Sequence, residues 1–174
     1  MGFIKDLARR RAIRRNSSSV RTGIEPLSNI SRVKVFLDAA GQDCVSCITA
    51  INAYFKPKGI ETDIYVLSFG EQVISEGTIK ATFYHKRDIN WYGRISTGKR
   101  TIQMEESEDM FLSLIPDDIF AVELAARSSN ARFKAGRFQK KGNLYDLVVT
   151  DRDGVTATQS IAFTQITEIL DKIN

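Results

Sequence analysis

The chain has 174 residues, of which 43% are hydrophobic and 26% charged, a composition typical of an ordinary globular domain. This length suits one α/β domain, and no stretch approaches the ~20 consecutive apolar residues of a membrane-spanning helix. The formal net charge of +4 arises at one end of the chain. Residues 1–22 carry seven lysines and arginines and one acid, a net of +6, whereas the other 152 residues carry 18 bases and 20 acids, a net of −2. A short polycationic segment on a near-neutral body is typical of a protein that meets a polyanion.

The basic segment, residues 1–22, is predicted to be a helical arm joined to the body by a linker at residues 23–29. Its apolar residues Phe3, Ile4, Leu7 and Ala8 share one face, but arginines project onto the same face further along. We therefore expect the first turns to contact protein and the later turns to be basic all round. The alternative is a solvated N-terminal tail. The cations that would bind an anionic partner are Arg9, Arg10, Arg11, Arg14 and Arg15.

Strand and helix patterns alternate through the body, residues 30–174. An apolar run at 33–37, ending in Asp38, predicts a buried strand, and helical spacing follows from 41 to 55. Further strands are predicted at 62–67, 79–84, 110–115, 131–136 and 144–150, and further helices at 116–127 and 156–173. This alternation favours one three-layer α/β domain. Its open, mostly parallel, Rossmann-like sheet would have five or six strands and helices on both faces.

Cys44 and Cys47 stand at the start of the first body helix, where a helix N-terminus would stabilise the thiolate of a redox pair. Both cysteines fall on the apolar stripe of that helix, however, and this predicts buried thiols with a raised pKa. A lone histidine gives zinc little support. We expect reduced cysteines that pack in the core of a cytoplasmic protein, with no metal and no cofactor.

A polar and aromatic connection, residues 85–100, carries the only tryptophan and the only histidine of the chain. Such a segment either binds a ligand or partner, or forms a short hairpin whose Trp91 packs on the sheet edge. In a parallel α/β sheet, ligands are bound at the carboxyl ends of the strands. The candidate ligand or partner contacts are therefore Asp38, Asp43, Asp88, Asn90 and Trp91.

A second basic cluster lies between residues 127 and 141, and no acid occurs from 124 to 145. In the strand predicted at 131–136, Arg132 and Lys134 face one side and the apolar residues the other. A basic face either protects an edge strand from aggregation or extends the anion-binding surface of the arm. The candidate anion contacts here are Arg132, Lys134, Arg137, Lys140 and Lys141.

The sequence contains no nucleophile elbow, phosphate-binding glycine motif or metal-ligand spacing. We therefore expect a non-enzymatic binding protein whose anionic partner is RNA or the ribosome. One alternative is a small-molecule-binding or transferase-like α/β enzyme with its site at the carboxyl ends of the strands. A second alternative is a peripheral scaffold on an acidic membrane surface that holds a protein partner.

Three segments are distinctive in combination. They are the basic N-terminal arm, the motif Asp88-x-Asn90-Trp91-x-Gly93, and the motif Ser128-x-x-Ala131-x-Phe133-Lys134-x-Gly136. Together they resemble a family of uncharacterised proteins of about this length from Bacteroidetes. The resemblance covers nearly the whole chain. It implies a bacterial, cytoplasmic protein and supplies no catalytic residues, and Cys44 and Cys47 lie outside its pattern.

Overall fold

The computed structural model describes residues 2–70, 79–97, 100–101, 107–137, 139–140, 142–151 and 156–173. The helices in these ranges are α1 (Gly2–Asn16), α2 (Cys44–Phe55), α3 (Phe120–Ser128) and α4 (Gln159–Leu170). The strands are β1 (Arg32–Asp38), β2 (Glu61–Ser68), β3 (Thr82–His85), β4 (Ser96–Thr97), β5 (Arg100–Thr101), β6 (Met110–Ser113), β7 (Phe133–Gly136) and β8 (Leu147–Val148). Within these ranges, no helix is long and apolar enough to cross a membrane.

Six of the strands form one sheet in the order β3-β2-β1-β6-β7-β8. Every neighbouring pair in it is parallel. The strand order reverses between β1 and β6, so the chain adds strands outward in both directions, as in doubly wound folds. The open, Rossmann-like parallel sheet predicted from the alternating patterns is therefore confirmed. Strands β4 and β5 form a separate antiparallel pair at the end of the polar and aromatic connection.

Apolar side chains form a core on each face of this sheet. Val35 and Leu37 of β1 join the core beneath α2 and α4, whereas Phe36 joins the core beneath α3. The Phe36 ring stacks between Tyr65 and Phe111, with ring centroids 5.4 and 5.1 Å away. Full burial of one such ring contributes roughly 1.5–3 kcal/mol, so the alternation along β1 anchors both layers of helices.

Some predicted elements are longer than the observed ones. The strand predicted at 144–150 is reduced to Leu147–Val148, because β8 pairs with β7 at two positions only. Leu144, Tyr145 and Val149 are nevertheless buried. Apolar residues mark what packs on the sheet, whereas a strand extends only as far as its neighbour supplies hydrogen bonds.

Strand β7 lies inside the sheet, between β6 and β8. This corrects the interpretation of residues 131–136 as an edge strand with a basic outer face. The face that carries Lys134 is covered by α3 and its C-terminal turn, and Lys134 is only 4% exposed. The position of a strand in a sheet depends on which strands pair with it, and the local residue pattern does not contain that information.

Candidate functional site

The carboxyl end of β1, where the strand order reverses, is the usual ligand crevice of a doubly wound sheet. Here the Gln159 side chain fills it. Gln159 Oε1 accepts the backbone N–H of Asp38 at 2.8 Å, and Gln159 Nε2 donates to the Asp38 carbonyl at 2.9 Å. The Asp38 carboxylate accepts the N–H of Ala40 at 2.9 Å. A Cβ at Gly41 would lie 2.2 Å from Gln159 Nε2, so the glycine is required for this packing.

The N-terminus of α4 is the other group at this crevice that could hold an anion. The carboxylate of Asp43 already occupies it. Its Oδ2 accepts the backbone N–H of Ser160 at 2.6 Å. Burial alone would raise the pKa of Asp43, but the hydrogen bonds from Ser160 lower it below its usual value. Asp38 thus joins α4 to the end of β1, and Asp43 joins α4 to the start of α2.

A shallow groove of about 310 Å³ lies at the carboxyl ends of β2 and β3. It combines two cations, an imidazole, a hydroxyl and a partly exposed aromatic ring. Its lining residues are Ser68, Phe69, Gly70, His85, Lys86 and Arg87.

Asp88 and Asn90 build a turn. Asp88 Oδ2 accepts the backbone N–H of His85 at 2.8 Å and so caps the start of the short helix Lys86–Asp88. Asn90 Oδ1 accepts the N–H of Arg94 at 2.9 Å, while Asn90 donates its own N–H to the Arg94 carbonyl. A hairpin is therefore confirmed here, with an antiparallel bridge between Ile89 and Ile95.

Trp91 stands at the tip of this turn. Its side chain is 59% exposed, and its ring meets that of Tyr92 edge-on with centroids 5.4 Å apart. The expectation that Trp91 packs on the sheet edge, if the segment forms a hairpin, is wrong. Asn90 and Gly93 close the turn so tightly that Trp91 projects from it, with Asn90 accepting the Gly93 N–H at 2.9 Å.

The turn is attached to both α1 and α3. Gly93 has a φ of +89°, and a Cβ there would lie 2.4 Å from the Phe120 ring, so glycine alone allows this close approach. Arg94 Nη2 donates to Asn16 Oδ1 at 3.4 Å. The Arg9 guanidinium lies 4.6 Å from the centroid of the same Phe120 ring. Nothing in the sequence points to Phe120, because a lone aromatic residue at a helix start carries no motif.

The N-terminal arm packs on the body through its second half, contrary to expectation. Ala12 is buried in the packing of α1 on α3, whereas Ile4 and Leu7 of the first turns are exposed. The side chain of Phe3 lies outside the described part of the chain. After the helix, the Ser18 N–H donates to the Arg127 carbonyl at 2.7 Å, and the Gly23 N–H donates to the Arg132 carbonyl at 2.9 Å.

Four of the five arginines of α1 face solvent. Arg9 is partly buried against Phe120, but Arg10, Arg11, Arg14 and Arg15 are exposed. Within the described ranges, none of these four side chains makes an ion pair or a hydrogen bond. They share the outward side of α1, opposite Ala12 and Asn16, since their positions fall within a contiguous arc at ~100° per residue. We call this set of four the arginine face.

The second basic cluster has the opposite environment. Lys134 Nζ donates to the carbonyls of Ala126 at 2.7 Å and Ser129 at 3.0 Å, at the C-terminus of α3. Burial lowers the pKa of Lys134, although Asp146 and Glu108 nearby act to raise it. Lys134 therefore stabilises a helix end, and the expected exposed basic surface does not form at this residue.

The other members of the second cluster are also paired. Arg137 is 3% exposed, forms an ion pair with Asp151 and donates to the Ala157 carbonyl at 2.9 Å. Arg132 Nη2 donates to Asp109 Oδ1 at 3.2 Å, and Lys140 forms an ion pair with Asp118. Lys141 lies outside the described residues. The burial of Arg137 corrects its placement on an anion-binding surface.

A buried ion pair lies beneath α3. Lys34 Nζ is 2.9 Å from Glu108 Oε2, with both side chains nearly inaccessible, and Glu108 Oε1 accepts a hydrogen bond from Ser129. Lys34 interrupts the otherwise apolar run at 33–37, and that exception is the one feature of the sequence that could have indicated a buried partner.

Cys44 and Cys47 are both buried and free. Burial raises the pKa of Cys44 to about 11 and that of Cys47 to about 12. The prediction of core thiols with a raised pKa is confirmed, and protonated thiols of this kind are poor nucleophiles. In the described ranges, no group of three or more His, Cys, Asp or Glu side chains is placed to hold a metal ion.

Comparison with known proteins gives one match, which covers most of the chain. No curated protein and no solved structure matches it. A family model matches residues 3–163, which include the arm, the Trp91 turn and the complete parallel sheet. The chain therefore belongs to a family of unknown function, DUF6913.

Proposed function

We propose that this protein binds RNA, free or within the ribosome, through the arginine face of α1. The observation that carries the proposal is the exposure of Arg10, Arg11, Arg14 and Arg15 on a helix whose opposite side is fixed to the body. Guanidinium groups donate paired hydrogen bonds to phosphate oxygens, and they keep their charge at any physiological pH.

The attachment of the arm favours binding. A disordered basic tail must lose conformational entropy when it meets a polyanion. Here α1 is already fixed by the buried Ala12, by the contact of Arg94 with Asn16 and by the hydrogen bonds of Ser18. Groups that are already in place bind with a smaller ordering cost.

Body residues add little to this surface. Of the cations that the sequence suggested in the body, those within the described ranges already have internal partners. The proposed interface is therefore α1 with the adjoining turn at residues 90–94. We further infer that the protein acts in the cytoplasm, in keeping with its two reduced, buried thiols.

The salt dependence of RNA binding tests the proposal. Each phosphate contact on a single strand contributes a slope of about −0.7 in log K against log salt, so four arginines give roughly −3. We expect Arg10→Gln/Arg14→Gln to halve this slope and weaken binding, as measured by fluorescence anisotropy of labelled RNA with the full chain. Co-sedimentation with ribosomes would show whether the same face acts there.

Lys56→Gln/Lys172→Gln is the matched control. It removes two exposed charges from the face of the sheet that carries α2 and α4, so the slope should not change. Equal slopes for both double variants would contradict the proposal. Binding to vesicles of anionic lipid but not to RNA would favour a membrane surface instead, with the exposed Ile4 and Leu7 as the apolar contacts.

A second candidate function is the binding of a small anionic ligand in the groove at the carboxyl ends of β2 and β3. Its volume of about 310 Å³ is of the size of small-molecule sites, and Lys86 and Arg87 supply positive charge. Thermal-shift screening with nucleotides and nucleotide sugars tests this function. A stabilisation of several degrees that is lost in Arg87→Gln would support it, and no stabilisation by any of them would contradict it.

A further inference from the structure

The turn that carries Trp91 holds its side chain in solvent, which is unusual for a tryptophan. Tryptophan has a large apolar surface and is highly buried on average. Trp91 is nevertheless 59% exposed, although Asp88 and Asn90 hold the surrounding backbone firmly. Beside it, Tyr92 offers a second ring at right angles. A rigid turn thus presents the flat indole ring of Trp91 to solvent.

This aromatic surface is attached to α1, through the side of the helix that carries Arg9 and Asn16 and lies opposite the arginine face. Gly93 contacts Phe120, and Arg9 of α1 lies over the same ring at 4.6 Å. Arg94 donates to Asn16 in the last turn of α1. Consecutive Cα atoms are ~3.8 Å apart, so the Cα of Trp91 lies within about 8 Å of that of Gly93. The turn that carries the indole is therefore in direct contact with the basic helix, and the arginine face lies on the other side of that helix, which is ~10–12 Å across with its side chains.

We propose that Trp91 stacks on an unpaired base of an RNA single strand whose phosphates contact the arginine face. The inference rests on the proposed function and specifies the form of RNA that is bound. Proteins that bind single strands combine positive charge along the backbone with aromatic side chains that stack on the bases. In a duplex the bases are stacked inside the helix and cannot reach an exposed indole.

Trp91 is the only tryptophan of the chain, so its fluorescence reports directly on this contact. We expect a short single-stranded RNA to quench it, and the same strand annealed to its complement to leave it unchanged. Trp91→Ala should weaken single-strand binding roughly 5- to 150-fold, the range that follows from the loss of one stacked base. Trp91→Phe should recover most of the affinity.

The slope of log K against log salt distinguishes stacking on a base from contacts with phosphates. Trp91→Ala should leave the slope at its wild-type value, because it removes no phosphate contact. Arg10→Gln/Arg14→Gln should reduce the slope while the quenching at saturation persists. An unchanged midpoint of thermal unfolding would show that Trp91→Ala affects the contact and not the fold.

Two further results would overturn the inference while the proposed function stands. They are arginine-dependent binding without quenching, and equal affinities for the single strand and the duplex. If Trp91→Ala unfolds, quenching of the wild-type protein and the affinity of Trp91→Phe still decide the question. If the wild-type chain does not bind RNA, both proposals are overturned.

Discussion

The two basic segments of this protein are similar in sequence and opposite in structure. The arginine face consists of Arg10, Arg11, Arg14 and Arg15, which are exposed and have no partners among the described residues. The second cluster contains Lys134 and Arg137, which are buried and bonded to backbone carbonyls or to a carboxylate. The number of cations in a segment therefore says little about whether they can reach a partner.

The difference has a physical origin. A buried cation must be paired, because transfer out of water is costly unless hydrogen bonds and charges replace the lost solvation. Strand β7 is covered by α3 and meets carbonyls at the end of that helix, which can accept from Lys134. Helix α1 has no element on its outer side within the described ranges, so its arginines stay hydrated.

The largest difference between the segments should appear in stability. Arg137→Met removes a buried cation and leaves Asp151 and the Ala157 carbonyl without their donor. We expect a loss of about 3 kcal/mol in the free energy of unfolding, measured with urea. Arg14→Met, its counterpart on the arginine face, should cause no measurable change. Equal unfolding midpoints for the two variants would show that the segments do not differ in this way.

A smaller effect should arise at Asp109, which holds Arg132. Its carboxylate also accepts the backbone N–H groups of Ser31 at 2.8 Å and Arg32 at 3.2 Å. Burial alone would raise the pKa of Asp109, but the hydrogen bonds from Ser31, Arg32 and Arg132 lower it below its usual value. A carboxyl with a lowered folded pKa stabilises the protein at neutral pH and loses that contribution as the pH falls through the folded pKa.

Asp109→Asn should therefore reduce the free energy of unfolding by about 1–3 kcal/mol at neutral pH. The difference from wild type should shrink as the pH falls below about 4, because the wild-type carboxyl then becomes protonated as well. Asp117→Asn, at an exposed carboxyl, is the control and should show no such pH dependence. A difference that stayed constant down to low pH would contradict the role of the Asp109 charge.

The smallest effect on stability should come from releasing the arm. Ala12→Glu places a charge in the packing of α1 on α3 and should detach the helix, while the midpoint of body unfolding changes little. Trypsin requires local unfolding before it can cleave at the exposed arginines. We expect cleavage in α1 to become several-fold faster than in wild type. Leu7→Glu, at an exposed position, should leave the rate unchanged, and equal rates for both variants would contradict the docking of the arm.

The class of fold could be predicted from the residue pattern alone. Alternating strand and helix patterns specified a parallel sheet with helices on both faces, because period and polarity follow from which side of each element is buried. The same reasoning gave the correct environment for Cys44 and Cys47, whose helical spacing placed them on the apolar stripe. It also identified the turn at residues 88–93 as distinctive.

Which charged and aromatic residues are accessible depends on how the elements pack in the folded protein. Lys134 was expected on an exposed face, and Trp91 against the sheet if its segment formed a hairpin, yet the first is buried and the second exposed. Nothing in the sequence indicated that the Gln159 side chain fills the crevice beside Asp38. These outcomes depend on contacts between residues distant in the chain, such as the cover of β7 by α3. Residue spacing along one segment records the periodicity of that segment and not what packs against it.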